Sequence, residues 1–363
     1  MRILHVFRTP VGGLFRHVRD LARGESALGH EVGLVCDGST GGSMAEALLE
    51  GAAAHCVLGI RRIAIPRLPG LGDVSALAQT ITHCAALRPH VIHCHGAKGG
   101  LYGRLAARRL GVPSLYAPHG GSLHYRWSSP AGAAFLAAEA ALARAGAGLH
   151  FVCRFERDAF AAKVGLVRRP QAVIHNGLWP EDFAPAKPAA DAADILFIGD
   201  MRDLKGVDVL LGALARLRQA GRITACLVGD GPDLPRFRNM AEALGLADAV
   251  SFPGRLPAQE AFTRGRLLVM PSRAESFPYV VLEAAAAGVP IVASAVGGIP
   301  EVLDPPALVP PGDAEALALR LAASLAAADR QREAAEAARQ RLRLEFSAAR
   351  MVEQVLALYR RLA

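Results

Sequence analysis

With 363 residues, 52% of them hydrophobic and 20% charged, the chain is too apolar for a disordered protein and long enough to divide into two cores. Its formal charge of +8 lies wholly in the first half: residues 1–185 carry 20 Lys and Arg against 12 Asp and Glu, whereas residues 186–363 carry 21 of each. A basic half favours an anionic partner (phospholipid, polyprenyl phosphate or nucleic acid), unless it only mirrors an Arg-rich composition.

The chain opens directly into a buried-type strand, Ile3–Phe7, with no signal-peptide pattern. Gly12-Gly13 follows as a turn that lets backbone approach a ligand closely, before a helix over Leu14–Leu28. Arg16 and His17, on its first turn, either meet an anionic acceptor or stand as solvated charges. Strands are expected at Glu31–Cys36 and His55–Leu58, with a helix over Met44–Leu49 between them. Ile60–Gly72 mixes Arg61, Arg62 and Arg67 with Ile63, Ile65 and Leu68, and reads as a loop with a basic apolar surface suited to lipid. A helix over Val74–Leu87 leads to the strand Val91–Cys94, and another over Gly99–Leu110 to the strand Ser114–Ala117. His93 and His95 alternate along one side of their strand, near His90 and His119. A zinc site there is set aside, because no Cys or His pairing has a familiar ligand spacing. His119 ends a strand beside Gly120-Gly121, a position from which a side chain touches ligand in a parallel sheet.

Helices over Phe135–Arg144 and Phe155–Lys163 and strands at Leu149–Cys153 and Val173–Ile174 close the first half. The Ala-rich run Ala131–Leu149 is broken by Glu139 and Arg144, and no uncharged apolar run reaches membrane-spanning length. Six scattered cysteines without a C-x-x-C pair read as reduced core thiols of a cytoplasmic protein. Trp179–Asp194, polar and Pro-rich, is the linker.

The second half repeats the strand–helix grammar. Ile195–Ile198 is a strand, followed by the loop Gly199–Gly206 and a helix over Val207–Gln219. Ala225–Val228 and Val250–Phe252 are strands around a helix over Pro235–Leu244. Then comes the densest phrase in the chain, Leu267–Leu303. A strand, Leu267–Met270, leads through a polar loop, Ser272–Phe277, into an Ala-rich helix that stops at Gly288. A strand over Ile291–Ala293 and the turn Gly297-Gly298 lead to a helix expected after Pro300. The loop lies both at a strand's carboxyl end and at a helix N-terminus, where backbone N–H groups favour a phosphate. Glu275 in the loop and Glu283 in the helix offer carboxylates seven residues apart, which accept hydrogen bonds from sugar and ribose hydroxyls. Leu317–Leu362 is helical to the end.

The Leu267–Leu303 phrase resembles the E-x7-E signature of retaining glycosyltransferases of family 4, the group 1 glycosyltransferases. The match covers E-S-F, the alanine helix, G-V-P-I-V-A-S and G-G-I-P-E-V. The resemblance implies an α/β GT-B architecture, with two Rossmann-like, doubly wound parallel-sheet domains facing a central cleft. Residues 1–180, joined by a returning C-terminal helix within 346–363, would bind the acceptor. Residues 181–345 would bind a nucleotide sugar. It also implies roles by position. Glu275 would contact the sugar and Glu283 the ribose. Lys205 keeps the lysine of the family's G-R-x5-K-G, and would neutralise the leaving diphosphate together with Arg202, because Asp200 occupies the arginine position. Backbone N–H groups of Ser276 and Phe277, and the Gly12-Gly13 turn, would lie near phosphate, and His119 would touch the transferred sugar. No D-x-D occurs, so no cofactor and no divalent metal is expected for the reaction. The expected activity is transfer of a sugar, with retention, from a nucleotide-diphosphate sugar such as a UDP-sugar to a glycan or lipid-linked acceptor in cell-surface polysaccharide synthesis. The leaving phosphate would take the acceptor's proton on the face of attack. The expected setting is cytoplasmic, peripheral on the inner face of an anionic membrane, with no nucleic acid partner. Two rivals stand beside it: a UDP-sugar 2-epimerase-like enzyme, and a non-catalytic sugar-nucleotide binding module.

Overall fold

The computed structural model describes residues 1–144, 148–165 and 168–362. The chain separates into two compact units, Met1–Gly177 with the segment from Ala348 onward, and Leu178–Ser347.

The first unit runs β1 (Arg2–Val6), α1 (Gly12–Ala27), β2 (Glu31–Asp37), α2 (Gly42–Ala53), β3 (Ile60–Ile63), α3 (Gly72–Leu87), β4 (Val91–His95), α4 (Gly96–Leu110), β5 (Ser114–Ala117), α5 (Pro130–Arg144), β6 (Gly148–Phe151), α6 (Arg154–Val164) and β7 (Gln171–Val173). Its sheet has the order β3-β2-β1-β4-β5-β6-β7, every pairing parallel, so the chain changes direction of travel between β1 and β4. Alternation along the strands sorts side chains onto two faces. Leu4, Val6, Ile92, Cys94, Tyr116, Leu149 and Phe151 enter one apolar cluster. Ile3, Val91 and Leu115 enter the other. The residues between them, His5, His93 and His150, are therefore carried to the second face.

The second unit runs β8 (Ala193–Ile198), α7 (Val207–Ala220), β9 (Ala225–Val228), α8 (Leu234–Ala243), β10 (Val250–Gly254), α9 (Ala258–Thr263), β11 (Gly265–Met270), α10 (Tyr279–Ala286), β12 (Ile291–Ser294), β13 (Leu308–Val309), α11 (Ala314–Ala326) and α12 (Ala328–Glu345). Its parallel sheet has the order β10-β9-β8-β11-β12-β13, with the reversal between β8 and β11. An apolar cluster, built on Phe197, Leu210, Leu214, Phe237 and Leu321, holds α7, α8 and α11 to this sheet. The last helix, α13 (Ala348–Arg360), belongs to the first unit, where Met351, Val355, Leu358 and Tyr359 pack with Ile3, Leu21 and Val91. The final residue of the predicted 346–363 segment, Ala363, lies outside the described residues, as do residues 145–147 of the Ala-rich run.

Four local expectations need correction. His55–Leu58 is a turn, and the edge strand is the next segment, Ile60–Ile63, which pairs in parallel with Leu34–Asp37. Arg61 and Arg62 stay exposed there while Ile63 is buried, so backbone pairing at a sheet edge overrides a pattern that reads as loop. Gly12 and Gly13 are exposed and form the first turn of α1, so the turn proper is one step earlier. His17 is neither an acceptor contact nor solvated: it is fully buried, and Arg16 is drawn into a 2.8 Å pair with Asp20. After Pro300 only a 3-10 turn, Ile299–Glu301, forms before Asp304-Pro305-Pro306. No helix among the described residues is long and apolar enough to cross a membrane.

Candidate active site

In doubly wound sheets, ligands bind beyond the carboxyl ends of the strands where the order reverses. In the second unit that place lies beyond β8 and β11, the strands that carry Gly199–Gly206 and Pro271–Phe277. The two loops are locked together. Gly206, at φ +66°, caps α7, and a Cβ there would overlap the Pro271 carbonyl oxygen. Arg273 N–H donates to Leu204 O at 2.8 Å, and its guanidinium donates to Asp203 O at 2.7 Å and to both Asp208 carboxylate oxygens at 2.8 and 2.5 Å. That fork holds the Asp208 carboxyl below the usual carboxylate range, chiefly through the Arg273 hydrogen bond.

On this frame Lys205 Nζ donates to Glu275 Oε1 at 2.6 Å, and Ser272 Oγ donates to the same oxygen at 2.7 Å. The Glu275 side chain is 10% exposed and that of Lys205 23%, so the pair is accessible but largely shielded. The backbone of Glu275 is pinned from behind. Gly298 N–H donates to Ser276 O at 2.6 Å, and Gly297, at φ +59°, sits where any Cβ would strike Glu275 O. This accounts for glycine at position 297. Ser276 is half-buried, and Phe277 is buried with its ring 6.0 Å from that of Phe346. Glu283 lies half-buried in α10. Arg202 is exposed on the first loop, where its carbonyl accepts from Lys205 N–H at 2.9 Å. Asp200, at the position expected to be arginine, faces Arg255 at 3.7 Å. The structure thus brings Lys205 and Glu275 into contact and leaves Arg202 on the same loop, exposed to solvent.

The first unit's reversal point is built from different chemistry. His119 ends the segment after β5 with φ +50°, one of two non-glycine residues in the left-handed region among the described residues. Such backbone is costly for a β-carbon-bearing residue and persists where the surroundings hold it. Part of that hold is Glu156, whose carboxylate accepts from Gly120 N–H at 2.5 Å and Val152 N–H at 3.0 Å. His119 Nε2 lies 3.1 Å from His95 Nδ1, and His95 Nε2 lies 3.0 Å from His5 Nδ1. Burial, reinforced by His150, pushes the His119 imidazole down to about 3, so it is neutral near pH 7. Burial does the same to His150, pushed down to about 4, and to His17, His93 and His95, all held well below the ordinary histidine value. A neutral His119 can offer one N–H and one lone pair, as a hydrogen-bonding group and not as a cation.

Comparison with known proteins matches residues 12–177 to the glycosyl transferase 4-like domain and residues 180–341 to glycosyl transferases group 1. A D-inositol 3-phosphate glycosyltransferase of Streptomyces griseus is 31% identical over 340 residues, covering 80% of this chain and 71% of that protein. The chain belongs to the group 1 glycosyltransferases. D-inositol 3-phosphate glycosyltransferase 1 of Catenulispora acidiphila is 32% identical over 237 residues, and the match spans 58% of this chain but only about half, 56%, of that relative. Among solved structures, Anabaena Alr3699/HepE in complex with UDP-glucose superposes with a TM-score of 0.83 at 22% identity, covering 98% of both chains, which establishes the GT-B fold.

In this chain, sequence reasoning missed His5, His17 and His150, together with Glu25 and Tyr359, as parts of the surroundings of His119. A histidine inside an otherwise apolar strand, as in Ile3–Phe7 or Leu149–Cys153, was the available signal. What it lacked was adjacency: β1 pairs with β4 so that His5 stands opposite His93, 88 residues later in the chain.

Proposed function

We propose that this protein is a retaining glycosyltransferase that moves a sugar from a nucleotide-diphosphate sugar to a glycan or lipid-linked acceptor. The observation that carries the reading is the Lys205–Glu275 pair at the reversal point of the second unit. An ammonium has three N–H donors, and Glu275 takes one, so Lys205 keeps donors for a diphosphate. Glu275 Oε1 is saturated by Lys205 and Ser272, which fixes the carboxylate so that it can accept from a sugar hydroxyl. In this reading Glu283 accepts from ribose, Ser276 and Phe277 offer backbone N–H groups to phosphate, and Arg202 adds a second cation. In the first unit, Gly12 and Gly13 border the phosphate side, and neutral His119 contacts the transferred sugar. Lys205, Arg202 and backbone donors take the electrostatic role that a divalent ion plays elsewhere, so transfer proceeds without one. A UDP-sugar is the favoured donor: a structural neighbour, HepE, is known in complex with UDP-glucose.

A lipid-linked acceptor, or attachment to an anionic membrane, is supported by one surface of the first unit. Leu68, Leu71 and Val74 are 75%, 92% and 70% exposed, and Arg61, Arg62 and Arg67 are exposed in the same stretch. Flotation with anionic vesicles tests this. Retention of the chain on phosphatidylglycerol vesicles is expected, and its absence rejects membrane attachment.

The reaction is tested by incubating the full chain with UDP-, GDP- and ADP-sugars, with and without acceptor, and following donor loss. Wild-type turnover with strong loss in Glu275→Gln and Lys205→Ala is expected. Full activity in both variants rejects the site. Nucleotide release with the sugar converted to its 2-epimer, and no acceptor product, rejects transfer.

A further inference from the structure

We propose that the first unit holds a divalent transition-metal ion of the zinc type on His5, His93 and His95. The three side chains come from adjacent strands β1 and β4, on the face covered by α1 and α13. All three are 0% exposed, and one nitrogen from each lies within 4.8 Å of the other two.

The hydrogen bonds sort the ring nitrogens into two sets. His5 Nε2 lies 2.8 Å from Glu25 Oε2. His93 Nδ1 lies 2.7 Å from Tyr359 Oη, which donates to Glu25 Oε1 at 3.0 Å. His95 Nδ1 lies 3.1 Å from His119 Nε2. Each ring therefore has an acceptor for the N–H on one nitrogen, which is how metal-bound histidines are held and their tautomers fixed. The nitrogens left over are His5 Nδ1, His95 Nε2 and His93 Nε2. The first two face each other at 3.0 Å, and the third is buried with no hydrogen-bond partner.

Hydrogen bonding alone does not satisfy this set. One proton between His5 and His95 would serve those two, but His93 Nε2 would remain a buried lone pair without a partner. A single cation satisfies all three lone pairs at once. Two nitrogens bound tetrahedrally to zinc stand about 3.3 Å apart, given zinc–nitrogen distances of about 2.0–2.1 Å. The observed His5–His95 separation of 3.0 Å is close to that value. Imidazole sets of this kind suit zinc and its neighbours. Glu25, reached through both His5 and Tyr359, brings a negative charge to offset the ion. A second triple, His17, His95 and His119, also has one nitrogen from each within 4.8 Å and shares His95 with the first. The ion proposed here is structural. It holds β1 and β4 to α1 and α13, and makes His95 Nδ1–H donate to His119 Nε2. Its presence or absence is read without any transfer assay.

The experiment uses the full chain, purified without an affinity metal from cells grown with added zinc, with metal content determined after desalting. One zinc ion per chain is expected. Refolding from denaturant and chelator into Co2+ alone is expected to give the visible d–d bands of a nitrogen-ligated ion. His93→Phe, which fills the same space, is expected to fold by circular dichroism and to lose the ion. Should that variant not fold, X-ray absorption on the wild-type zinc protein decides, with three imidazoles at about 2.0–2.1 Å expected. Folded wild-type protein without stoichiometric metal, an ion retained by His93→Phe, or a ligand set other than imidazole overturns the proposal.

Discussion

The two units share a doubly wound parallel sheet and present their site residues near the place where strand order reverses, yet they solve the electrostatics oppositely. The second unit gathers ions: Lys205 on Glu275, and Arg273 forked onto Asp208. The first gathers buried imidazoles, with His5, His17, His93, His95 and His150 all 0% exposed. The contrast teaches that topology fixes where a site can form, while the side chains sent there decide which charge it can meet. In the proposed reading a diphosphate needs a cation at its site, and Lys205 supplies it in the second unit. A sugar hydroxyl needs a directed N–H or lone pair, and neutral His119 offers these in the first.

The contrast breaks first under acid. Unfolded histidines bind a proton near pH 6.5, whereas His119 and His150 are pushed down to about 3 and about 4, and His17, His93 and His95 are also lowered. The unfolded chain therefore binds more protons below about pH 6.5. Each such histidine contributes stability that is full above that value and falls by up to ~1.4 kcal/mol per pH unit as pH drops toward its folded value. Asp208 behaves differently: its folded pKa is depressed, so its contribution is full above the ordinary carboxylate value of about 3.9 and is lost as pH falls from there through the folded one. Calorimetry between pH 7 and pH 5 is expected to show the first unit's transition falling steeply while the second unit's holds. Transitions that move together would erase the distinction.

The next largest effect lies in the second unit. Lys205→Ala is expected to lower kcat by about 10²–10³-fold, the usual cost of removing one preorganised charge-stabilising group, with Tm little changed because Lys205 is partly solvated. Loss in kcat, not only a rise in KM, is the diagnostic result. An equal loss on replacing His119 by Ala would argue that both units stabilise developing charge, against the division drawn above.

The second unit was legible because its chemistry is written contiguously. Glu275, Ser276, Gly297 and Gly298 fall within one phrase, and Gly297 has a local reason: a Cβ there would strike the Glu275 carbonyl. The Lys205–Gly206 step was readable for the same reason, since a Cβ at Gly206 would strike the Pro271 carbonyl. The first unit was legible as strands and helices but not as a site. His5, Glu25, His93, His150 and Tyr359 are spread over the chain, and the pairing of β1, β4, β5 and β6 with the return of α13 joins them. His17 shows the limit most sharply. Beside Arg16 it reads as a surface cation, yet it is sealed within 5.7 Å, ring to ring, of His95, His119 and His150. The edge strand Ile60–Ile63 failed for another reason, because exposed Arg61 and Arg62 hide a segment that backbone pairing alone makes a strand.

Smaller effects sharpen the account of the second unit. Glu283→Gln removes a charged acceptor but keeps the shape of a half-buried side chain in α10. A charged hydrogen bond is worth about 1.5–3 kcal/mol, so KM for the nucleotide sugar should rise at least about tenfold with kcat nearly unchanged. The smallest expected change is in Arg202→Ala. Arg202 is exposed, and a solvated charge near a phosphate is worth on the order of 1 kcal/mol, giving a loss of about fivefold in kcat/KM that shrinks as salt is raised. Asp200 stands where the family carries arginine and faces Arg255 only at 3.7 Å, so Asp200→Arg breaks a weak pair and adds a cation to the same loop. If Arg202 is the second cation, Asp200→Arg should restore activity to Arg202→Ala. No change in Arg202→Ala would leave Lys205 as the sole side-chain cation on the diphosphate, and the ionic site of the second unit would then rest on one residue.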